Sequence, residues 1–274
     1  MTQTRQIHPW FRNIFYLGGF LSLIAGIQLF VLAERTETYF AWTIASPLTA
    51  STLGGFYFGT MVFGFLSARE GIWARVRGPA LGLFLFTAVS LAATLLHIDK
   101  FHLASQNWLT LNATRSWMVI YILLPPLLLI TMFLQGRVQV TDPERSSKFP
   151  AWFTVLLALH GAIGTMVGIL LFLSLGSVIP VWAWTLTPLT ARALSAWLVS
   201  FGVLELHAVW ENDWSRVRIM AFGCIVSSLF AMISLVRYAG EINWQSPGGY
   251  GYLIYLLVLF AIGAYAWRQA GQSR

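Results

Sequence analysis

The sequence predicts an all-α, polytopic integral membrane protein: eight transmembrane helices arranged as two parallel four-helix repeats. Three observations predict it. Of 274 residues, 57% are hydrophobic and only 10% charged, whereas soluble domains carry about a quarter charged residues. So few charges cannot coat a soluble surface of this size, so lipid must replace the polar shell. Next, eight apolar stretches come close to the roughly 20 helical residues that span a hydrocarbon core. Finally, the chain repeats itself. Ala41-Trp42-Thr43-Ile44 with Pro47-Leu48-Thr49-Ala50 returns as Ala183-Trp184-Thr185-Leu186 with Pro188-Leu189-Thr190-Ala191. The register then holds: Glu70 meets Glu211, Trp73 meets Trp214, and Arg75-Val76-Arg77 meets Arg216-Val217-Arg218. Upstream, Trp10-Phe11 meets Trp152-Phe153 and Gly26-Ile27 meets Gly168-Ile169. Internal repeats of this kind signal a duplicated unit.

The spans are expected at 14–33, 48–67, 79–97, 117–135, 152–174, 190–209, 219–237 and 250–267. All must be helical, because unsatisfied backbone groups in lipid cost several kcal/mol each. The first follows a basic leader (Arg5, Arg12) and ends Val31-Leu32-Ala33, a sequence a signal peptidase accepts. Its copy at 152–174 lies in mid-chain, so the first is read as a retained helix. The second and sixth begin beside Pro47 and Pro188, where a helix start tolerates proline. Pro125-Pro126 falls inside the fourth span and predicts a kink. Each repeat holds an even number of spans, so both copies enter from one side. The divisions are a first repeat over 1–135, a linker over 136–151 containing Asp142-Pro143-Glu144-Arg145, and a second repeat over 152–274.

With the N-terminus inside, twelve Lys and Arg fall on the inner side and five on the outer. That bias predicts cytoplasmic N- and C-termini. The net charge of +7 is scattered singly between apolar runs, so it reads as a topology signal and not as a nucleic-acid surface. The expected partners are the lipid bilayer and a membrane-protein partner or second copy. Cys224 stands alone, which excludes a disulfide framework or thiol cluster.

The phrase Phe40-Ala41-Trp42-Thr43-Ile44 with Pro47-Leu48-Thr49-Ala50, together with Leu96-His97-Ile98-Asp99-Lys100-Phe101-His102, resembles an uncharacterised family of bacterial multi-pass membrane proteins. The likeness covers chiefly the first half. It implies a bacterial inner-membrane location and no particular activity.

Three groups of residues carry potential chemistry. His160, Glu205 and His207 lie within spans, where ionisable groups mark function by default. His160 should stand roughly 12 Å deep and Glu205 roughly 7 Å from the inner boundary, so adjacent antiparallel helices bring these two together. Their counterparts in the first repeat are Gly18 and Gly64. The competing reading leaves Glu205 and His207 snorkelling to the cytoplasmic end, with His160 bonded to a carbonyl. His97, Asp99 and His102 form an outer group with the ligand types of a zinc or iron site. Their spacing matches no specific metal motif, and a solvated helix end explains them as well. The repeated outer motif comprises Trp42, Thr43, Pro47 and Thr49, and Trp184, Thr185, Pro188 and Thr190. It reads either as an interfacial indole anchor and helix start, or as two loops folding inward around a shared cavity. The inner Glu70, Trp73, Arg75, Arg77 and their copies Glu211, Trp214, Arg216, Arg218 are read as contacts to anionic headgroups.

No phosphate-binding Gly-rich loop, Cys pair or His-rich oxygenase box is present, and neither a metal nor a cofactor is expected. The leading functional reading is a small transporter with a path between the repeats. The alternatives are a structural or assembly subunit of a membrane complex, and a membrane enzyme using the outer His/Asp group.

Overall fold

The structure, a computed structural model, describes residues 4–145 and 147–272. Its long elements are α1 Pro9–Gly26, continued by a π turn over Ile27–Val31, α2 Pro47–Arg69, α3 Arg77–Leu96 and α4 Trp108–Gly136. After the linker come α5 Ala151–Leu173, α6 Pro188–Glu211, α7 Trp214–Arg237 and α8 Pro247–Gln272. Among the described residues there is no strand, only isolated bridges between Gln6 and Ile72 and between Trp42 and Phe101.

Seven of these helices, all but α2, are long and apolar enough to cross a bilayer. The protein is therefore a multi-pass membrane protein. α2 has the length, at 23 residues, but too many small polar residues. Thr49, Ser51, Thr52, Gly54, Gly59, Thr60, Gly64 and Ser67 are all buried against other helices. A helix sheathed by protein needs no greasy perimeter, and small residues let its neighbours approach closely.

Helix starts follow local chemistry. Ser46 Oγ accepts from Thr49 N at 3.1 Å and Pro47 fills the first turn of α2. Thr187 and Thr190 cap α6 reciprocally: Thr190 N donates to Thr187 Oγ1 at 3.3 Å and Thr187 N to Thr190 Oγ1 at 2.9 Å. Asn107 Oδ1 accepts from Leu109 N at 2.9 Å, so α4 begins at Trp108, about two turns before the expected 117. The helix runs on through Pro125 and Pro126 without a break.

The helices pack as two rows. One row runs α1, α2, α7, α8, and the other α5, α6, α3, α4. Each row thus takes two helices from before the linker and two from after it. Close approach demands glycine at Gly202, where a Cβ would lie 2.5 Å from Gly161 O and from Thr165 N. At mid-depth an aromatic slab fills the space between rows. Trp197 lies 4.1 Å from Phe86, 5.0 Å from Tyr57 and 5.6 Å from Phe56, and Tyr57 Oη bonds Tyr121 Oη at 2.6 Å.

At the end of the bundle that carries the α2–α3 and α6–α7 loops, a clasp of charges ties the loops together. Arg77 forks onto Glu211, with Nη2 to Oε2 at 2.6 Å, and reaches Asp142 Oδ2 at 2.7 Å. Arg216 Nη1 donates to the same Glu211 Oε2 at 2.8 Å and Nη2 to Pro143 O at 2.6 Å. This corrects the headgroup reading for these two arginines. Both are spent on a glutamate that is only 1% exposed, and a buried carboxylate requires such partners.

Candidate functional site

His160 and Glu205 meet inside the protein. His160 sits in the third turn of α5, and Glu205 faces it from α6. Nδ1 lies 2.7 Å from Glu205 Oε2, with His160 6% and Glu205 0% exposed. The other ring nitrogen, Nε2, lies 3.1 Å from Tyr255 O. A carbonyl only accepts, so Nε2 carries a hydrogen. The contact between Nδ1 and Oε2 then needs one more proton, supplied by an imidazolium or by a carboxylic acid. Either way the pair is neutral overall and shares one proton. Tyr255 packs its ring on the imidazole at 4.4 Å and 13°, fixing the plane of the ring. Glu205 Oε1 and Tyr255 Oη are both buried without a hydrogen-bond partner among the described residues.

The snorkelling alternative fails for Glu205, which is inside. His160 makes both bonds weighed for it, to the carboxylate and to a carbonyl. His207 belongs elsewhere: its Nε2 is 3.6 Å from Glu211 Oε1, at the edge of the inner clasp. Gly18 and Gly64, which match His160 and Glu205 in the first half, line a narrow apolar cleft of about 40 Å³ among α1, α2, α3 and α6. Tyr255 was not anticipated from sequence, because a tyrosine in an apolar run reads as packing. Its contribution through a backbone carbonyl leaves no residue-type signal.

The outer group does not converge. His97 Nε2 accepts from Arg192 Nη1 at 2.5 Å, Asp99 pairs with Lys100 at 2.9 Å, and His102 bonds Thr43 Oγ1 at 3.0 Å and Phe40 O at 3.3 Å. Burial, then the Arg192 guanidinium, holds His97 below the usual imidazole range. The Lys100 ammonium holds Asp99 below the usual carboxylate range. Among the described residues no three His, Cys, Asp or Glu side chains stand close enough to hold a metal ion. The metal-enzyme reading therefore loses its site.

The repeated motif folds inward. Trp42 and Trp184 are 2% and 3% exposed, so they are core residues and not indoles anchored in headgroups. Trp184 Nε1 donates to Thr49 Oγ1 at 2.7 Å, tying one copy of the motif to the other, while Trp42 Nε1 has no partner. Between the starts of α2 and α6 lies a cavity of about 190 Å³ lined by Ala45, Ser46, Thr49, Thr185, Thr187, Thr190 and Glu241. Glu241 accepts from Ser46 Oγ at 2.5 Å and from Leu48 N at 3.1 Å. It thus places a carboxylate at the positive start of α2. The negative charge that a helix start attracts is here supplied by the chain itself.

No family model, no curated protein and no solved structure matches this chain.

Proposed function

We propose that the protein is a small proton-coupled carrier of the bacterial inner membrane. In this reading it has eight spans in two parallel repeats, with both termini cytoplasmic. A small polar solute enters the outer cavity between the repeats, and the His160–Glu205 pair binds and releases the coupling proton. The observation that carries the reading is the 2.7 Å contact between His160 Nδ1 and Glu205 Oε2, two buried titratable groups on membrane-spanning helices. Burying such a pair is costly, and intramembrane carboxylate–imidazole pairs are characteristic of proton relays.

Matching contacts in the two halves support the duplication. Phe11 lies 5.0 Å from Trp73, and Phe153 lies 5.0 Å from Trp214. Trp73 N donates to Arg5 O at 2.9 Å, and Trp214 N to Ser147 O at 3.1 Å. His102 N donates to Ala41 O at 3.1 Å, and Asn243 N to Ala183 O at 2.7 Å. The cavity draws its wall from both halves, as a solute site between repeats would. α2 completes the eight spans, shielded from lipid by its neighbours.

The test is reconstitution in liposomes loaded with a pH-sensitive dye and challenged with a panel of small neutral, zwitterionic and charged solutes. At least one solute moves protons through the wild-type protein, and Glu205→Gln lowers that flux at least tenfold. If no solute moves protons, or if the variant matches the wild type, the reading fails.

One observation favours a second reading, a structural subunit. The aromatic slab around Trp197 occupies the space between rows where a carrier's path would run. On that reading, purification from native membranes after mild cross-linking yields a stoichiometric protein partner.

A further inference from the structure

We infer that a file of polar side chains conducts protons between the outer cavity and Glu205, so that the His160–Glu205 pair exchanges its proton with the outer side. This rests on the reading of the pair as a proton site, and adds the route and the side.

The file begins at Thr49, on the cavity wall. Thr52 lies one turn deeper on the same face of α2. Its Oγ1 and Tyr252 Oη are both buried and face each other, with no other hydrogen-bond partner among the described residues. Tyr252 is held against Trp184, ring centroids 5.0 Å apart, and the same indole bonds Thr49. Tyr255 follows one turn along α8. Its Oη lies against Gly164, where a Cβ would stand 3.0 Å away, without a partner among the described residues. Its ring stacks on His160, and the buried Glu205 Oε1 ends the file as its fourth polar atom.

Buried polar atoms are almost always hydrogen-bonded. Four buried polar atoms on α2, α8 and α6 that bond to nothing, or only to one another, stand between a cavity and a titratable pair and form a wettable seam. Water satisfies such groups, because each hydroxyl both donates and accepts. Transfer along the seam is balanced. Each hydroxyl or water takes a proton on a lone pair and passes its own to the next. For exchange, the pair passes its own proton out along the file to the cavity and takes one back from beside Thr49 at Glu205 Oε1; each passage leaves the hydroxyls reversed until they rotate back. Toward the inner side the next imidazole, His207, is turned to Glu211, and Glu211 is already held by Arg77 and Arg216.

The experiment measures solvent exchange of the His160 ring protons by NMR. It uses nitrogen-15 histidine-labelled protein in nanodiscs, with His160→Gln to assign the signals. The double variant Tyr252→Phe/Tyr255→Phe keeps both rings and removes both hydroxyls. Exchange should slow at least tenfold. A bulky maleimide on Thr185→Cys, at the cavity wall, should slow it similarly. Tyr57→Phe, whose hydroxyl belongs to the Tyr121 pair, should leave it unchanged. The path is refuted if the double variant exchanges as fast as the wild type, if the plugged cavity has no effect, or if Tyr57→Phe slows exchange equally. If exchange follows the file but no solute drives protons, the carrier reading falls and the path stands. If Glu205→Gln abolishes coupling while the double variant exchanges normally, the path falls and the carrier stands.

Discussion

Arg77→Ala removes the centre of the inner clasp, and its cost can be worked from the geometry. The guanidinium gives two donors to Glu211 and one to Asp142. Deleting one partner of a buried ion pair costs about 3–5 kcal/mol, because the other charge is left stranded. Here Glu211 keeps Arg216 at 2.8 Å, which places the loss at the lower end, about 3 kcal/mol. At about 2–4 °C per kcal/mol for a chain of this size, the apparent Tm should fall by about 6–12 °C. The assay is thermal unfolding in detergent, followed by loss of the monodisperse peak. Arg75→Ala is the internal control. Its contact with Glu70 is 3.5 Å long, with side chains 38% and 23% exposed, so it contributes about 0.5 kcal/mol and shifts Tm by about 1–2 °C. The double variant Arg77→Ala/Glu211→Ala should fall short of the sum of the singles by about 1–3 kcal/mol, since the stranded charge is gone. A loss no larger for Arg77→Ala than for Arg75→Ala, or strict additivity, would refute the clasp.

Three further outcomes follow from the packing and the outer loops. Gly202→Ala should cost about 1–3 kcal/mol by overpacking, while Gly18→Ala, with nothing within 4 Å of its Cβ, should be neutral; parallel melts compare them. Trp184→Phe and Trp42→Phe remove the same volume, but only Trp184 loses a bond, to Thr49. The first should therefore be about 1–2 kcal/mol worse; equal losses would exclude the cross-repeat tie. His97 stays neutral in the fold where the unfolded chain has already taken up a proton, because burial and Arg192 depress it below 6.5. Stability should therefore fall as pH drops below about 6.5 and level off below the folded value. In melts from pH 7.5 to 5 this slope should be shallower in Arg192→Gln.

What was legible in the sequence is what a one-dimensional rule can carry. Helix depth at a fixed rise per residue placed His160 opposite Glu205, and the motif prolines marked where α2 and α6 start. Which helices become neighbours was not legible, because a repeat says that two segments are alike and not which of them touch. Whether Trp42 and Trp184 anchor in headgroups or fold inward stayed open for the same reason, since their shelter comes from α4 and α8 of distant sequence. Arg77 and Arg216 looked like headgroup contacts because counting cations ignores carboxylates brought in from Glu211 and Asp142. Glu241 gave no signal at all. It caps α2 across 193 positions of chain, and a lone acid after α7 reads as loop. α2 fell short of an apolar span because its lining is tuned to protein, a context that hydropathy does not see.

The alternation of the rows has a consequence for how the molecule comes to exist. Sever the polypeptide between α4 and α5, and each fragment owns half of two different walls and the whole of neither. Such fragments have no finished surface to fold against until they find each other.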